Sequence, residues 1–244
     1  MDTLHIDTHV HLLVSKTQIE PDWRNISHML HIACISGLDA ICVTEHIEAV
    51  GYDRLMREIF VENKLNGELY DGCVVTPGGL TLYPGAEIQL RNGTNIGVHT
   101  NLDTLFLLDH RVGAYSLAEL HQELTLHGTW FILVAHHIFW PGKTYPDHAE
   151  LASYVRAIEV PAKDLKNVNK YIELAERYNL ATTGGSDAHT FIQIGACYGV
   201  LSQGIQASHP LLISLDQPQK NHVYSEFSKR LVEMSKLYRE SLFN

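Results

Sequence analysis

The residues of this chain best equipped for chemistry are its histidines and the acids beside them. His9 and His11 stand two apart at the end of an apolar run, LHIDTHVHLL. On a strand, positions i and i+2 share a face, so the two imidazoles are presented together at one edge of a sheet. An isolated His-x-His is more often a pair of ordinary strand-end side chains. Here four later segments, ICVTEH, YPGAEI, FILVAHH and TTGGSDAH, also end an apolar run in His, Asp or Glu. Such clusters in series point to metal: imidazole with carboxylate suits zinc, manganese or iron, and a shared carboxylate makes a multinuclear site. A close pair of ions lowers the pKa of a bound water and clamps the attacking and leaving oxygens, which is hydrolytic chemistry.

Each cluster needs a strand to deliver it. Residues 4–13 predict a first strand, and Asp22 caps a helix running to about Ile35, where Ile26, Met29, Leu30 and Ala33 recur at helical spacing and Gly37 follows. Short strands are expected at 40–43, 80–83, 104–108, 130–135, 157–160 (ending in Glu159) and 180–183, with helices at 52–64, 117–127 and 164–178. A final helix is expected from His222 to about Leu242, its Tyr224, Phe227, Leu231, Met234 and Leu237 facing the body or a partner. Strands alternating with helices imply a parallel α/β sheet. If that sheet closes into a barrel, the carboxyl ends of the strands, where all the clusters fall, lie on one face.

At 244 residues and 45% hydrophobic content the chain suits one large domain. A formal charge of −10 supplies no global basic field, so a nucleic-acid partner is not expected and a small substrate is. Cys34, Cys42, Cys73 and Cys197 lack C-x-x-C spacing and read as reduced thiols. With no basic, apolar leader at the start and no long apolar segment, a soluble cytoplasmic protein without a membrane partner is expected. There is no P-loop, nucleophilic Ser elbow or dinucleotide fingerprint.

In this order, H-I-D-T-H-V-H, T-E-H, G-A-E, V-H, A-H-H and G-S-D-A-H resemble the motifs of the PHP family, named for polymerase and histidinol phosphatase, over roughly residues 5–200. The resemblance implies a distorted, TIM-like (β/α)7 barrel in a single domain, with two to three divalent ions (Zn, Mn or Fe) at its carboxyl face. It further implies that His9, His11, Glu87 and Asp187 bind one metal, that Glu87 bridges to a second held by His99 and His136, and that His46 and His189 match the third site. The chain departs from the family in two places. Lys16 and Thr17 stand where another Asp or His is usual, leaving the third site either filled with the help of water or absent. His137 stands where the family commonly has Pro.

Several roles stay open at this level. His137 is a general acid or a polar residue of the pocket wall, His189 a ligand or a proton donor, and Glu45 a catalytic acid/base or a solvated loop residue. Asp7 orients a ligand as an outer carboxylate or is a plain strand-end acid. Lys16, Arg24, Arg91, Lys143 and Lys163 are the candidate phosphate contacts, with Lys143 favoured, then Arg91 and Lys16. The expected activity is that of a metal-dependent phosphoesterase acting on a small phosphorylated metabolite through a metal-bound hydroxide. The alternatives are phosphodiester or nuclease-type cleavage, amide or lactone hydrolysis at the same centre, and a non-catalytic metal-binding module. Oligomeric state is not legible.

Overall fold

The apolar runs pair edge to edge into a ring. In the computed structural model, which describes residues 3–202, 211 and 220–243, the strands are β1 (Thr3–Val10), β2 (Ala40–Val43), β3 (Glu68–Tyr70), β4 (Cys73–Val75), β5 (Thr81–Gln89), β6 (Asn95–Thr100), β7 (Phe131–His136), β8 (Ala157–Pro161), β9 (Ala181–Gly185), β10 (Cys197–Ser202) and β11 (Lys220–Tyr224). They are ordered β2-β1-β10-β11-β9-β8-β7-β6-β5, and β5 pairs with β2 to close the barrel. The hairpin β3–β4 hangs from β5 outside the ring.

The fold is therefore the expected single-domain α/β barrel, closed by nine strands rather than seven. The two additions, β10 and β11, lie between β9 and β1, where β10 runs antiparallel to both of its neighbours. β6 is also antiparallel, between β5 and β7.

Helices α1 (Trp23–Ile35), α2 (Tyr52–Phe60), α3 (Leu102–Leu107), α4 (Leu117–Leu126), α5 (His148–Tyr154), α6 (Val168–Arg177) and α7 (Ser228–Ser241) accompany the barrel, with a 3₁₀ turn at Ala162–Asn167. α1 begins as expected: the Asp22 carboxylate accepts from the Arg24 and Asn25 amides, and Ile26, Met29, Leu30 and Ala33 are buried.

Three sequence expectations change. Residues 104–108 fall mostly within a helix, because the Asn101 side chain accepts from the Thr104 amide and nucleates α3. The helix expected from 164 is α-helical only from Val168, because the residues before it form the 3₁₀ segment Ala162–Asn167, kinked within by the non-helical backbone of Asp164. The last helix starts at Ser228, and residues 220–224 before it form β11. Its expected apolar face is turned outward, with Phe227, Met234 and Leu237 all more than half exposed, while Ser228 and Ser235 are buried.

The core has two parts. Most buried apolar side chains fill the space between strands and helices. A smaller group, Ile6, Ala40, Cys42, Ile132, Val134, Ala157, Ala181 and Leu201 among them, forms a separate cluster of strand residues that plugs the barrel. Pairing of β1 with β2 slips between Asp7 and Val10: Ile6 lies opposite Ala40, but Val10 lies opposite Val43. One residue is thereby inserted in β1, and the alternation of faces reverses across the bulge. Ile6 below it and His9 above it can both point into the barrel. Among the described residues, no helix is long and apolar enough to cross a membrane.

Candidate metal centre

Backbone hydrogen bonds continue past the ends of the strands and draw the clusters together. The Glu87 amide donates to the Glu45 carbonyl at 2.9 Å and the Ile47 amide to the Glu87 carbonyl at 3.1 Å, which holds Thr44-Glu45-His46 against β5. In the same way the Asp187 amide donates to the His9 carbonyl and the His11 amide to the Ala188 carbonyl, each at 2.8 Å. Two of the residues so delivered carry left-handed backbone, His137 at φ 31° and Asp187 at φ 51°. Non-glycine residues hold such angles only where the surrounding structure imposes them.

Glu87 is the hub. Its carboxylate lies 2.8 Å from His46 Nδ1, 2.9 Å from His137 Nε2, 3.3 Å from His136 Nδ1, 3.5 Å from His9 Nε2 and 3.7 Å from His11 Nε2. Asp187 Oδ1 faces His11 Nε2 at 3.4 Å and His189 Nδ1 at 3.6 Å, and its other oxygen receives Lys163 Nζ at 2.8 Å. Side chains that each offer one ligand atom, all within 4.8 Å of one another, form four overlapping groups: His9, His11 and Asp187; His9, Glu87 and His137; His9, His136 and Glu159; and His11, His46 and His189.

This donor set fits divalent ions. His9 Nε2 and His11 Nε2 face each other at 2.9 Å, and the buried His136 Nε2 and His137 Nδ1 have no hydrogen-bond partner. Burial pushes the Glu87 and Asp187 carboxyls up, but their surroundings outweigh it and hold both well below the usual range. Those surroundings are His9 and His46 around Glu87, and Lys163 and His9 around Asp187. Burial, reinforced by neighbouring imidazoles, pushes His46, His136 and His189 down. Burial also works to push His9 and His11 down, but Glu159 and Glu87 around His9, and Glu45 and Asp187 around His11, outweigh it and hold both up. Ionised carboxylates and neutral imidazoles are the metal-binding forms, so His9 and His11 would release protons on binding an ion.

Two acids hold the ligands in place. Glu159 Oε1 accepts from His9 Nδ1 at 2.7 Å, and its other oxygen accepts from the His137 amide at 3.0 Å. Glu45 Oε1 pairs with His11 Nδ1 at 3.1 Å and accepts from the His46 amide, while Oε2 accepts from the Leu13 amide. Both oxygens of Glu45 are thus engaged behind His11, on the side of that ring away from its Nε2. Carboxylate backing of this kind sets the tautomer and angle of a metal-binding imidazole.

Asp7 does not serve in that way. The β1 bulge turns it off the face of the His9 ring, and its carboxylate accepts from backbone amides, those of Ser186 at 2.9 Å, Gly195 at 3.0 Å and His9 at 3.3 Å. Burial raises its pKa to about 6 against those hydrogen bonds.

Two glycines clear room for rings and carboxylates. A Cβ at Gly97 would stand 2.2 Å from His136 Nε2, and one at Gly185 would stand 2.1 Å from Glu159 Oε1 and 2.6 Å from the His9 Cβ.

The expected site residues therefore divide. His9, His11, His46, Glu87, His136, Asp187 and His189 converge, and His137 joins them in a group with His9 and Glu87. His99 belongs to none of the groups: β6 runs antiparallel, so Asn95 is the residue paired with His136, while His99 is paired with Ile132 at the level of the apolar plug.

The cations divide as well. Lys143 lies at the mouth, donating to Gln89 Oε1 at 2.9 Å and Asn95 Oδ1 at 2.8 Å. Lys16 is neutralised by Glu48, and Arg91 is an exposed residue paired with Glu119 at 3.0 Å. Arg24 stands exposed on α1. Lys163, not preferred from sequence, is the cation that touches the centre. Glu159 was also missed, although an acid inside the apolar run AIEV was a signal for it.

A barrel with histidines and carboxylates gathered at its carboxyl end agrees with the resemblance of the motifs to the PHP family. The family profile described as PHP-associated matches residues 168–215. The chain belongs to one family with PsfC from Pseudomonas syringae PB-5123, whose crystal structure is 51% identical, with a TM-score of 0.93 over 99% of this chain and 100% of that one. Endonuclease Q, solved in complex with a 27-mer duplex bearing an abasic lesion, has a TM-score of 0.65 at 11% identity over 88% of this chain and 57% of that one. The Pyrococcus furiosus lesion-specific endonuclease PfuEndoQ has a TM-score of 0.62 at 12% identity over 84% and 54% of the two chains. With both endonucleases the likeness is of fold alone. No curated protein sequence matches.

Proposed function

We propose that this protein is a metal-dependent hydrolase, in its simplest form a phosphoesterase acting on a small phosphorylated molecule. The observation that carries the reading is the convergence of five imidazoles on the single carboxylate of Glu87, beside the ammonium of Lys163. His9, His11, Asp187 and Glu87 would hold one ion, Glu87 with His136 and His137 a second, and His11, His46 and His189 a third. Bound there, divalent ions supply Lewis-acid activation of water and of a phosphoryl oxygen.

The chain's own groups do the rest. Glu159 and Glu45 keep the rings of His9 and His11 aimed inward. Lys163 and Lys143 supply positive charge to phosphoryl oxygens at the mouth. His189, grouped with His11 and His46 and stacked 4.3 Å from the His11 ring, would serve as a ligand rather than as a proton donor. Every ligand side chain is buried or nearly so, with His46 the most open at 13% exposure, which favours a small substrate over a polymer.

The test is metal analysis of untagged protein, followed by assay with p-nitrophenyl phosphate, bis(p-nitrophenyl) phosphate and a lactone panel. Metal-dependent release of phosphate from the monoester, lost in Glu87→Gln, supports the reading. Preference for the diester moves the assignment to nuclease-type cleavage, and turnover of lactones alone moves it to amidohydrolase-type chemistry. Retention of no ion after reconstitution with zinc, manganese and iron would overturn it.

A further inference from the structure

The last helix contributes nothing to the metal-ligating groups, yet it stands over them. α7 is fastened to the segment that carries Asp187 and His189: Ser235 Oγ lies 2.8 Å from Thr190 Oγ1, Ser228 Oγ donates to the Ala196 carbonyl at 2.6 Å, and the Tyr238 ring meets Phe191 edge-on at 5.3 Å. Ser228 and Ser235 are two turns apart, and Arg239 follows one turn later on the same side. The packed stripe of α7 therefore ends in a guanidinium.

Between this helix and the metal centre lies a cavity of about 490 Å³ bordered by His189, Lys163, Lys236 and Arg239, with Trp140 and Phe243 among its apolar walls. Its volume is that of a small-molecule site. Glu240 also borders it, but is exposed and already engaged in an interaction. Among the described residues, neither Arg239 nor Lys236 has a carboxylate within ion-pair distance. Arg239 is half-buried and close enough to Asp187 and Glu45 to feel their charge. A bound cation would draw Asp187 to itself, and Glu45 is already engaged by His11 and by the Leu13 and His46 amides, so neither acid is free to pair with the guanidinium. A partly desolvated cation with no carboxylate partner among the described residues is suited to an anion brought by the ligand, and the planar fork of arginine matches a carboxylate.

We propose that α7 completes the substrate pocket and that Arg239, assisted by Lys236 and Lys163, receives a carboxylate at the far end of a small substrate whose phosphate reaches the metal centre. The inference rests on the phosphoesterase reading for the phosphate end alone. The cation cluster requires the second, acidic end independently of it.

Calorimetric titration of the metal-loaded full chain with glycerol 3-phosphate, 3-phosphoglycerate and succinate tests this, using the natural protein, Arg239→Gln and Arg239→Lys, with circular dichroism to confirm that each variant is folded. The natural protein is expected to bind 3-phosphoglycerate about ten- to a hundredfold more tightly than glycerol 3-phosphate. Arg239→Gln is expected to erase that preference, and Arg239→Lys to restore part of it. Equal affinity of the natural protein for the two phosphates, or an equal loss for both in Arg239→Gln, would overturn the carboxylate subsite. Succinate binding that depends on Arg239, with neither phosphate bound, would keep the subsite and overturn the phosphoester reading instead. Binding of both phosphates alike with none of succinate would do the reverse.

Discussion

The inside of the barrel is two chemistries stacked on the same strands. At one level Ile6, Ala40, Cys42, Ile132, Val134, Ala157 and Ala181 form an apolar plug. One level up, the same strands and the loops that follow them present His9, His136, Glu159 and Asp187. On β7 Ile132 and His136 are only four positions apart, about 13 Å along a strand. Both levels are dry: Ile132 is 3% exposed and His136 is fully buried. The plug is held by burial alone and tolerates exchange of one aliphatic side chain for another. Carboxylates and imidazoles in the upper layer are stable without water only while each charge is matched by a neighbour, or by an ion that replaces the solvent. Substitutions in the two layers should therefore fail differently.

The largest effect is expected at Glu87. Glu87→Gln keeps the shape but takes the charge from the hub of five histidines. Metal analysis should show at least one ion lost per chain, and turnover should fall well beyond the roughly 10–100-fold that loss of an outer carboxylate costs. Full metal content in this variant would break the contrast between the layers.

Gly97→Ala should come next. The added methyl would stand 2.2 Å from His136 Nε2, and that ring is already stacked 3.8 Å from His9, so it must leave the cluster. The expected result is a folded protein, destabilised by about 1–3 kcal/mol, that has lost the ion His136 serves. Thermal melting and metal content together read the two parts.

Glu159→Gln leaves all the other groups in place but weakens the hold on His9, and about a 10–100-fold drop in metal affinity is expected. An unchanged affinity would show that Glu159 does not position His9.

The smallest effect on the centre is expected from the lower layer. Ile132→Val should cost about 0.5–1.5 kcal/mol of stability with metal content unchanged. His99→Ala should likewise lower stability and leave the ion count as it was. Loss of an ion in His99→Ala would return that histidine to the site and undo the assignment of layers.

The sequence and the fold divide the credit along a physical line. Donor types and their succession are local properties, because a histidine or acid at the end of an apolar run is delivered by whatever strand that run forms. His9, His11, His46, Glu87, His136, Asp187 and His189, together with the barrel that gathers them, could therefore be read from residue order and the family likeness. So could the capped start of α1. Whatever depended on strand direction, register or distant packing could not. The reversed run of β6 sends His99 down to the plug, and the bulge in β1 turns Asp7 away from the face of His9. Insertion of β10 and β11 between β9 and β1 closes the ring with nine strands. Arg239 lies some fifty residues beyond Asp187 in sequence and reaches the cavity beside it only because two serines fasten α7 there. One sequence pattern is compatible with either direction of a strand and either face of a helix, and only the pairing partners and the surface each element buries choose between them.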